Sequence, residues 1–193
     1  MSYINTTKYP TVSQGVFSPN GIPGDSRDFV IDFPVYSAMN HSAIFPTPIG
    51  PVRVSADAKG LASLDFRARG KAGSENEKVF QSVGRALEDY FLCGKPLRRF
   101  PLGHLGGTPF RRRVWKALLN IPFGQTRTYG EIATALGSPN SARAVGAACG
   151  ANPLPIFIPC HRVLAAGGKL GGFSGGLDVK KKLLALEGIS FSA

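Results

Sequence analysis

The chain has 193 residues, 43% apolar and 18% charged, the makeup of a folded protein able to bury a real core rather than of a disordered tail or a small scaffold needing staples. Its net charge is +11, and the charge is lopsided: residues 1–107 carry 12 basic and 9 acidic side chains, residues 108–193 carry 11 basic and 3 acidic. That field belongs to the C-terminal part and attracts polyanions, nucleic acid first among them.

No apolar run approaches the roughly 18 residues of a membrane span, and MSYINTTKYP lacks a signal core, so the expectation is a cytoplasmic protein with no membrane partner. Cys93, Cys149 and Cys160 show no CxxC spacing, and their odd number points to a reducing compartment with free thiols. His41, His104 and His161 are too scattered for a metal signature. Neither a metal nor any other cofactor is expected.

Residues 1–40 are rich in turn formers, with one apolar stretch, FVIDF at 29–33, and read as an N-terminal extension of unknown role. From about 43, AIFPTPIGPVRVSADAKGLASLDF reads as short strands separated by turns at 47–51 and 58–60. A helix from Glu75 to about Leu92 follows, with Val79, Val83, Leu87 and Phe91 recurring every four residues. Residues 41–100 therefore form a small α/β supporting domain.

Residues 101–193 form the second, mainly helical domain. Thr108 caps a helix over 109–119, Pro109 suits its first turn, and Phe110, Val114 and Leu118 make its inward stripe. Arg111, Arg112 and Arg113 spread around the other faces as solvated surface with some attraction for phosphate. Thr128 caps the next helix, which carries Ile132, Ala133 and Leu136. Gly137, Ser138 and Pro139 end it, and Asn140 or Ser141 caps a third. So brief a connection fits a helix-turn-helix unit. In the third helix Ala142, Val145, Gly146 and Cys149 define the buried face. Arg143 projects from the other side among small neighbours, either as a device inserted into a DNA groove or as an ordinary exposed arginine. Cys149 reads as a small buried apolar residue.

PIFI at 155–158 reads as a short buried strand or extended segment ahead of Pro159 and Cys160. An unassisted thiol has a pKa near 8.5 and is mostly protonated at neutral pH, and His161 is the obvious helper. Neighbours in a strand point to opposite faces, so their cooperation requires a turn at the strand end or a bridging water. A C-terminal helix starts at Asp178, buries Leu183, Leu184 and Leu186, and ends near Gly188. Glu187 lies in its last turn, where the helix dipole disfavours a carboxylate; it either orients His161 in a Cys–His–carboxylate relay or is a surface glutamate. The loop GKLGGFSGG at 168–176 fits neither the P-loop nor GxGxxG, so nucleoside triphosphate binding is not expected.

TPFRRRVWKAL, IPFGQTRTYGEIA, ARAVGAACGANP, IPCHRV and GGFSGGLDVKKKLLALEG occur in this order across 108–188. With them the chain resembles the O6-alkylguanine-DNA alkyltransferases, also called methylated-DNA–protein-cysteine methyltransferases; residues 43–107 resemble that family's N-terminal domain more weakly. The resemblance implies suicidal repair of double-stranded DNA containing O6-alkylguanine, with O4-alkylthymine as a further candidate substrate; a monomer without an obligate protein partner is expected. The protein would bind the minor groove and flip the damaged nucleotide. Cys160 would accept the alkyl group, His161 would be its water-linked base, Glu187 would orient His161, and Asn152 would hold the active-site turn. Tyr129 would contact the flipped guanine and help protonate its O6, and Arg143 would fill the vacated stack. Thr128, Tyr129, Ala142, Ala144 and Gly146 would meet DNA, and Tyr129, Val163, Phe173 and Ser174 would line the base pocket. Ala151 stands where glycine is frequent, Phe173 where tyrosine is common, and Cys149 is unusual in the recognition helix.

Three rivals share some of these features. A lesion-binding protein without chemistry would leave Cys160 unalkylated, a thiol hydrolase would not explain the concentrated positive charge, and a transcription factor would leave the Cys–His–Glu set idle.

Overall fold

The computed structural model describes residues 41–70 and 77–192. Both the FVIDF stretch and the proposed helix start at Glu75 lie outside the described residues.

Three antiparallel strands, β1 (His41–Phe45), β2 (Val52–Asp57) and β3 (Gly60–Phe66), form a meander in sequence order. In β2 the alternation is strict: Val52, Val54 and Ala56 are buried while Arg53, Ser55 and Asp57 face the other way, as a sheet with one covered face requires. Helix α1 (Lys78–Cys93) buries Val79, Phe80, Val83, Ala86, Leu87 and Tyr90 and ends on Gly94 in the left-handed conformation.

The connection to the second domain is clamped to the sheet. Leu61 N donates to Pro101 O at 2.9 Å and Gly103 N to Leu61 O at 2.8 Å. This contact explains Gly60: its φ is +150°, and a Cβ there would stand 2.2 Å from Pro101 O. Gly60→Ala is expected to destabilise the protein by more than about 1 kcal/mol, because strain and clash both act on the folded state; urea unfolding checks this.

The second domain has helices α2 (Pro109–Leu118), α3 (Tyr129–Ala135), α4 (Ala142–Gly150) and α5 (Leu177–Leu186), with a short parallel pair, β4 (Arg127–Thr128) and β5 (Val163–Leu164). Thr108 caps α2 as expected, its hydroxyl accepting from Arg111 N. Thr128 and Glu131 form a reciprocal capping box at α3. Trp115 anchors α2 to α4, its indole N–H donating to Ala148 O at 2.9 Å. One continuous core runs from the meander through α1 into α2, α3 and α4, and a smaller one gathers Leu164, Leu170 and Leu184. Among the described residues no helix is long and apolar enough to cross a membrane.

Four local expectations are corrected. Residues 155–158 are a tight turn and not a strand: Pro155 and Ile158 bridge each other and Ile156 takes φ +75°. Neither Asn140 nor Ser141 caps α4 through its side chain; a 3-10 turn, Pro139–Ser141, feeds the helix directly. The buried face of α4 is Val145, Ala148 and Cys149, while Ala142 and Gly146 are only half-buried. Finally, α5 begins on Gly176 and Leu177, with Asp178 inside its first turn, where a carboxylate suits the dipole.

Candidate active site

Cys160, His161 and Arg162 form one 3-10 turn at the end of the Pro155–Pro159 segment. The turn solves the geometric problem of adjacent residues, since neither side chain follows a strand's alternation. Cys160 is 3% exposed and His161 fully buried.

Asn152, just past the end of α4, reaches three places. Its side-chain amide donates to Ile158 O at 2.8 Å and to Cys160 Sγ at 3.1 Å, and its carbonyl oxygen accepts from Leu154 N at 3.0 Å. One side chain thus fixes the turn and touches the thiol. Burial pushes the Cys160 thiol up to about 11, against the Asn152 bond and the nearby charge of Lys180. The resting sulfur is a protonated thiol and needs a base when it reacts.

Glu187 caps the end of α5 and is wholly enclosed. Its Oε1 accepts from His161 Nε2 at 2.8 Å, Tyr90 OH at 2.7 Å and Arg162 Nη2 at 2.9 Å. Its Oε2 accepts from Arg162 Nε at 2.8 Å and from Gly124 N at 3.2 Å. Burial alone would raise this carboxyl, but the hydrogen bonds from His161 and Arg162 and the Arg162 charge beside it outweigh it and hold the group at about 2. This donor shell offsets the unfavourable end of the helix dipole, and Glu187 is not a surface residue.

With Nε2 committed to Glu187, Nδ1 is the nitrogen of His161 left to accept a proton. It is buried and has no hydrogen-bond partner among the described residues. Burial keeps the imidazole below its ordinary pKa, so it rests neutral.

Beside this turn lies an open cleft of about 620 Å³ lined by Tyr129, Ala142, Arg143, Gly146, Gly150, Gly172, Phe173 and Ser174. It therefore gathers residues of α3, α4 and the glycine-rich loop. Arg143 and Ala144 are exposed. Gly171 takes φ +63°, and a Cβ there would meet Tyr129 OH at 2.8 Å, so the loop can lie on the tyrosine only as glycine. Phe173 stands edge-on to His161, at 6.5 Å between ring centroids, and to Phe66 of β3 at 5.6 Å. Val163 lies outside this lining: it is fully buried and pairs with Arg127. Thr128 sits at the start of α3 as its cap. None of Cys160, His161 and Glu187 lines this cleft directly; Phe173, at its wall and edge-on to His161, ties it to the centre, whereas the clefts along α2 hold no residue in ring contact with His161.

Residues 40–102 match the family described as 6-O-methylguanine DNA methyltransferase, ribonuclease-like domain, and residues 109–189 match its DNA binding domain. A methylated-DNA–protein-cysteine methyltransferase of Methanosarcina acetivorans is 46% identical over 76% of this chain and 97% of its own length. The chain belongs to the 6-O-methylguanine DNA methyltransferase family. Its members are named for methyl transfer from DNA to a protein cysteine, and this methyltransferase-family chain is an enzyme of that class. Crystal structures of the Mycobacterium tuberculosis O6-methylguanine methyltransferase and of the same organism's OGT in complex with DNA are each 42% identical, covering 77% of this chain and 93% of theirs, with TM-scores of 0.68 and 0.66.

In this methyltransferase fold, three polar residues of the centre escaped sequence reasoning. Tyr90 continues the Val83–Leu87 stripe of α1 and looked like core. Arg162 follows His161 without a motif of its own. Lys180 lies three and four residues before Leu183 and Leu184, on the buried side of α5, and that placement was the available signal. Its ammonium is fully buried and donates to the carbonyls of Val163, Leu170 and Gly172. Burial lowers it to about 8, yet three carbonyl acceptors use all three hydrogens of the charged form.

Proposed function

We propose that this chain repairs O6-alkylguanine in double-stranded DNA by moving the alkyl group irreversibly to Cys160. The observation that carries the reading is a buried thiol held by Asn152, next to a buried neutral imidazole whose Nδ1 is unpartnered among the described residues, beside the cleft that carries Arg143 and Tyr129.

The reaction is a displacement at the alkyl carbon. Cys160 Sγ forms the new S–C bond as the C–O6 bond breaks, and the bonding pair leaves with the guanine. The thiol proton passes to His161 Nδ1 through a bridging water, because no hydrogen bond joins the ring to Sγ directly among the described residues; Glu187 stabilises the resulting imidazolium. Tyr129 supplies a proton to the departing base at O6. The product is a thioether that no group here can reverse, so each chain acts once. O4-alkylthymine presents the same alkyl–oxygen bond and falls under the same proposal.

An alkyl group on O6 is inaccessible inside a duplex, so the nucleotide must be flipped into the cleft. Thr128, Ala142, Ala144 and Gly146 allow close approach to the minor groove, and Arg143 fills the stack that the base leaves. Ser174 and Phe173 flank the base. The protein acts as a monomer, with DNA as its partner.

The test is transfer of a labelled methyl group from an O6-methylguanine duplex to the chain, reaching one equivalent and stopping. Arg143→Ala is expected to slow transfer from the duplex by roughly ten- to a hundredfold, equivalent to about 1–3 kcal/mol, while transfer from the free alkylated base is unchanged. Equal losses on both substrates would remove the flipping role from Arg143.

A further inference from the structure

The Glu187 shell contains one donor that comes from the other domain. Tyr90 rides on α1, is fully buried, and is held edge-on by Phe91 and Phe123, with centroids 5.1 and 6.1 Å away. Its hydroxyl donates to Glu187 Oε1 at 2.7 Å, the oxygen that His161 Nε2 also uses, and stands 3.5 Å from that nitrogen. We infer that Tyr90 is a positioning residue for the transfer: its hydroxyl shares Oε1 with His161 and so keeps the imidazole neutral and ready to take the thiol proton.

This role of Tyr90 rests on the proposed role of His161 and follows from charge. A carboxylate facing one imidazole favours the imidazolium, whose two N–H groups are both donors and whose Nδ1 can accept nothing. Each further donor on the same oxygen draws off part of that charge. Arg162 contributes one on Oε1 but adds a full positive charge; Tyr90 contributes one while staying neutral, because burial, then the neighbouring Glu187 charge, drives its phenol well above the ordinary range. The groups that face the imidazole are Glu187 and Lys180 from α5, Arg162 and Cys160 from its own turn, Phe173 from the glycine-rich loop and Tyr90 from α1. Arg162 and Lys180 also disfavour the imidazolium, but each has other bonds to satisfy: Arg162 to Ile121 O at 2.7 Å, and Lys180 to three carbonyls. The α1 hydroxyl has its short bond, 2.7 Å, to the carboxylate, with only the 3.5 Å contact to His161 Nε2 beside it. The N-terminal domain thus completes the centre rather than merely supporting it.

The experiment is the single-turnover rate of methyl transfer against pH for the full chain and for Tyr90→Phe, together with the NMR titration of His161 in both. Phenylalanine keeps the ring and its packing. The acid limb of the rate profile and the His161 titration should both move up by about one pH unit, so that at a pH below the limb the variant reacts about tenfold more slowly while the alkaline plateaus stay within about twofold. A wild type that transfers no methyl at any pH overturns the proposed function itself. A wild type that transfers, with a variant whose profile and titration coincide with it, overturns this inference alone. Lower melting temperature with coincident profiles is the signature of a merely structural tyrosine and counts against the inference in the same way.

Discussion

Cys160→Ser should abolish alkyl acceptance while leaving duplex binding within about threefold of the wild type. Serine is close to cysteine in shape, and Asn152 can donate to its hydroxyl as it does to Sγ, so the turn keeps its anchor. The hydroxyl, however, is far less acidic and less nucleophilic than a thiol, and an imidazole that can assist a thiol does not ionise it for displacement at carbon. Peptide mass analysis after incubation with an O6-methylguanine duplex is the measurement. The wild type should gain the mass of one CH2 on the Cys160 peptide and no more, and the variant nothing. The three cysteines make the result decisive: Cys93 is exposed, and burial drives the Cys149 thiol up to about 12. A gain on either peptide in Cys160→Ser would show that alkylation follows exposure or chance reactivity, and the assignment of the acceptor would fail.

What the sequence made legible follows from which forces are local. Thr108 and Thr128 mark helix starts because a cap and its first turn lie within three residues of one another, and both caps form. The meander is legible because Val52, Val54 and Ala56 alternate with polar residues. The segment 155–158 misled for a complementary reason: a short apolar run shows only that it is buried, not that it is extended, and here Ile156 takes a left-handed conformation. Likewise Gly146 looked like core by its spacing, yet it faces the Tyr129 cleft, since a residue without a side chain reports close approach of some body but not which one.

The centre divides along the same line. Cys160 and His161 are neighbours and could be read as a pair, while Asn152, eight residues before Cys160, came only with the family resemblance. Glu187 was placed by its awkward position at a helix end, which asked for a compensating shell. Apart from His161 and its neighbour Arg162, the members of that shell were invisible because they come from far along the chain: Tyr90 is 97 residues from Glu187 and Gly124 is 63. No periodicity distinguishes a buried tyrosine that packs from one whose hydroxyl reaches another domain.

Glu187→Ala carries the largest expected loss of stability. The carboxylate receives five donors, and its removal leaves Arg162 buried without its counter-charge, so breaking the pair should cost about 3–5 kcal/mol at neutral pH. The pH dependence distinguishes this from an ordinary cavity. Glu187 is held at about 2 in the folded protein against an ordinary 4.5, so the unfolded chain takes up the proton first as the medium is acidified. Its contribution, about 3 kcal/mol by that difference, is complete above pH 4.5 and is lost as pH falls toward 2. His161, buried and neutral, acts earlier: its folded pKa lies below 6.5, so stability begins to fall as soon as the unfolded imidazole protonates. The histidine's loss persists in Glu187→Ala, since removing the carboxylate makes the imidazolium still less favourable. The carboxylate's part of the gap in unfolding free energy between wild type and variant should therefore be complete at neutral pH and shrink only as pH falls from 4.5 toward 2. Urea unfolding across this range is the check. A gap that stays constant down to the lowest pH at which both fold would mean that Glu187 stabilises the protein by filling space and not by its charge, and the charged relay to His161 would lose its physical basis.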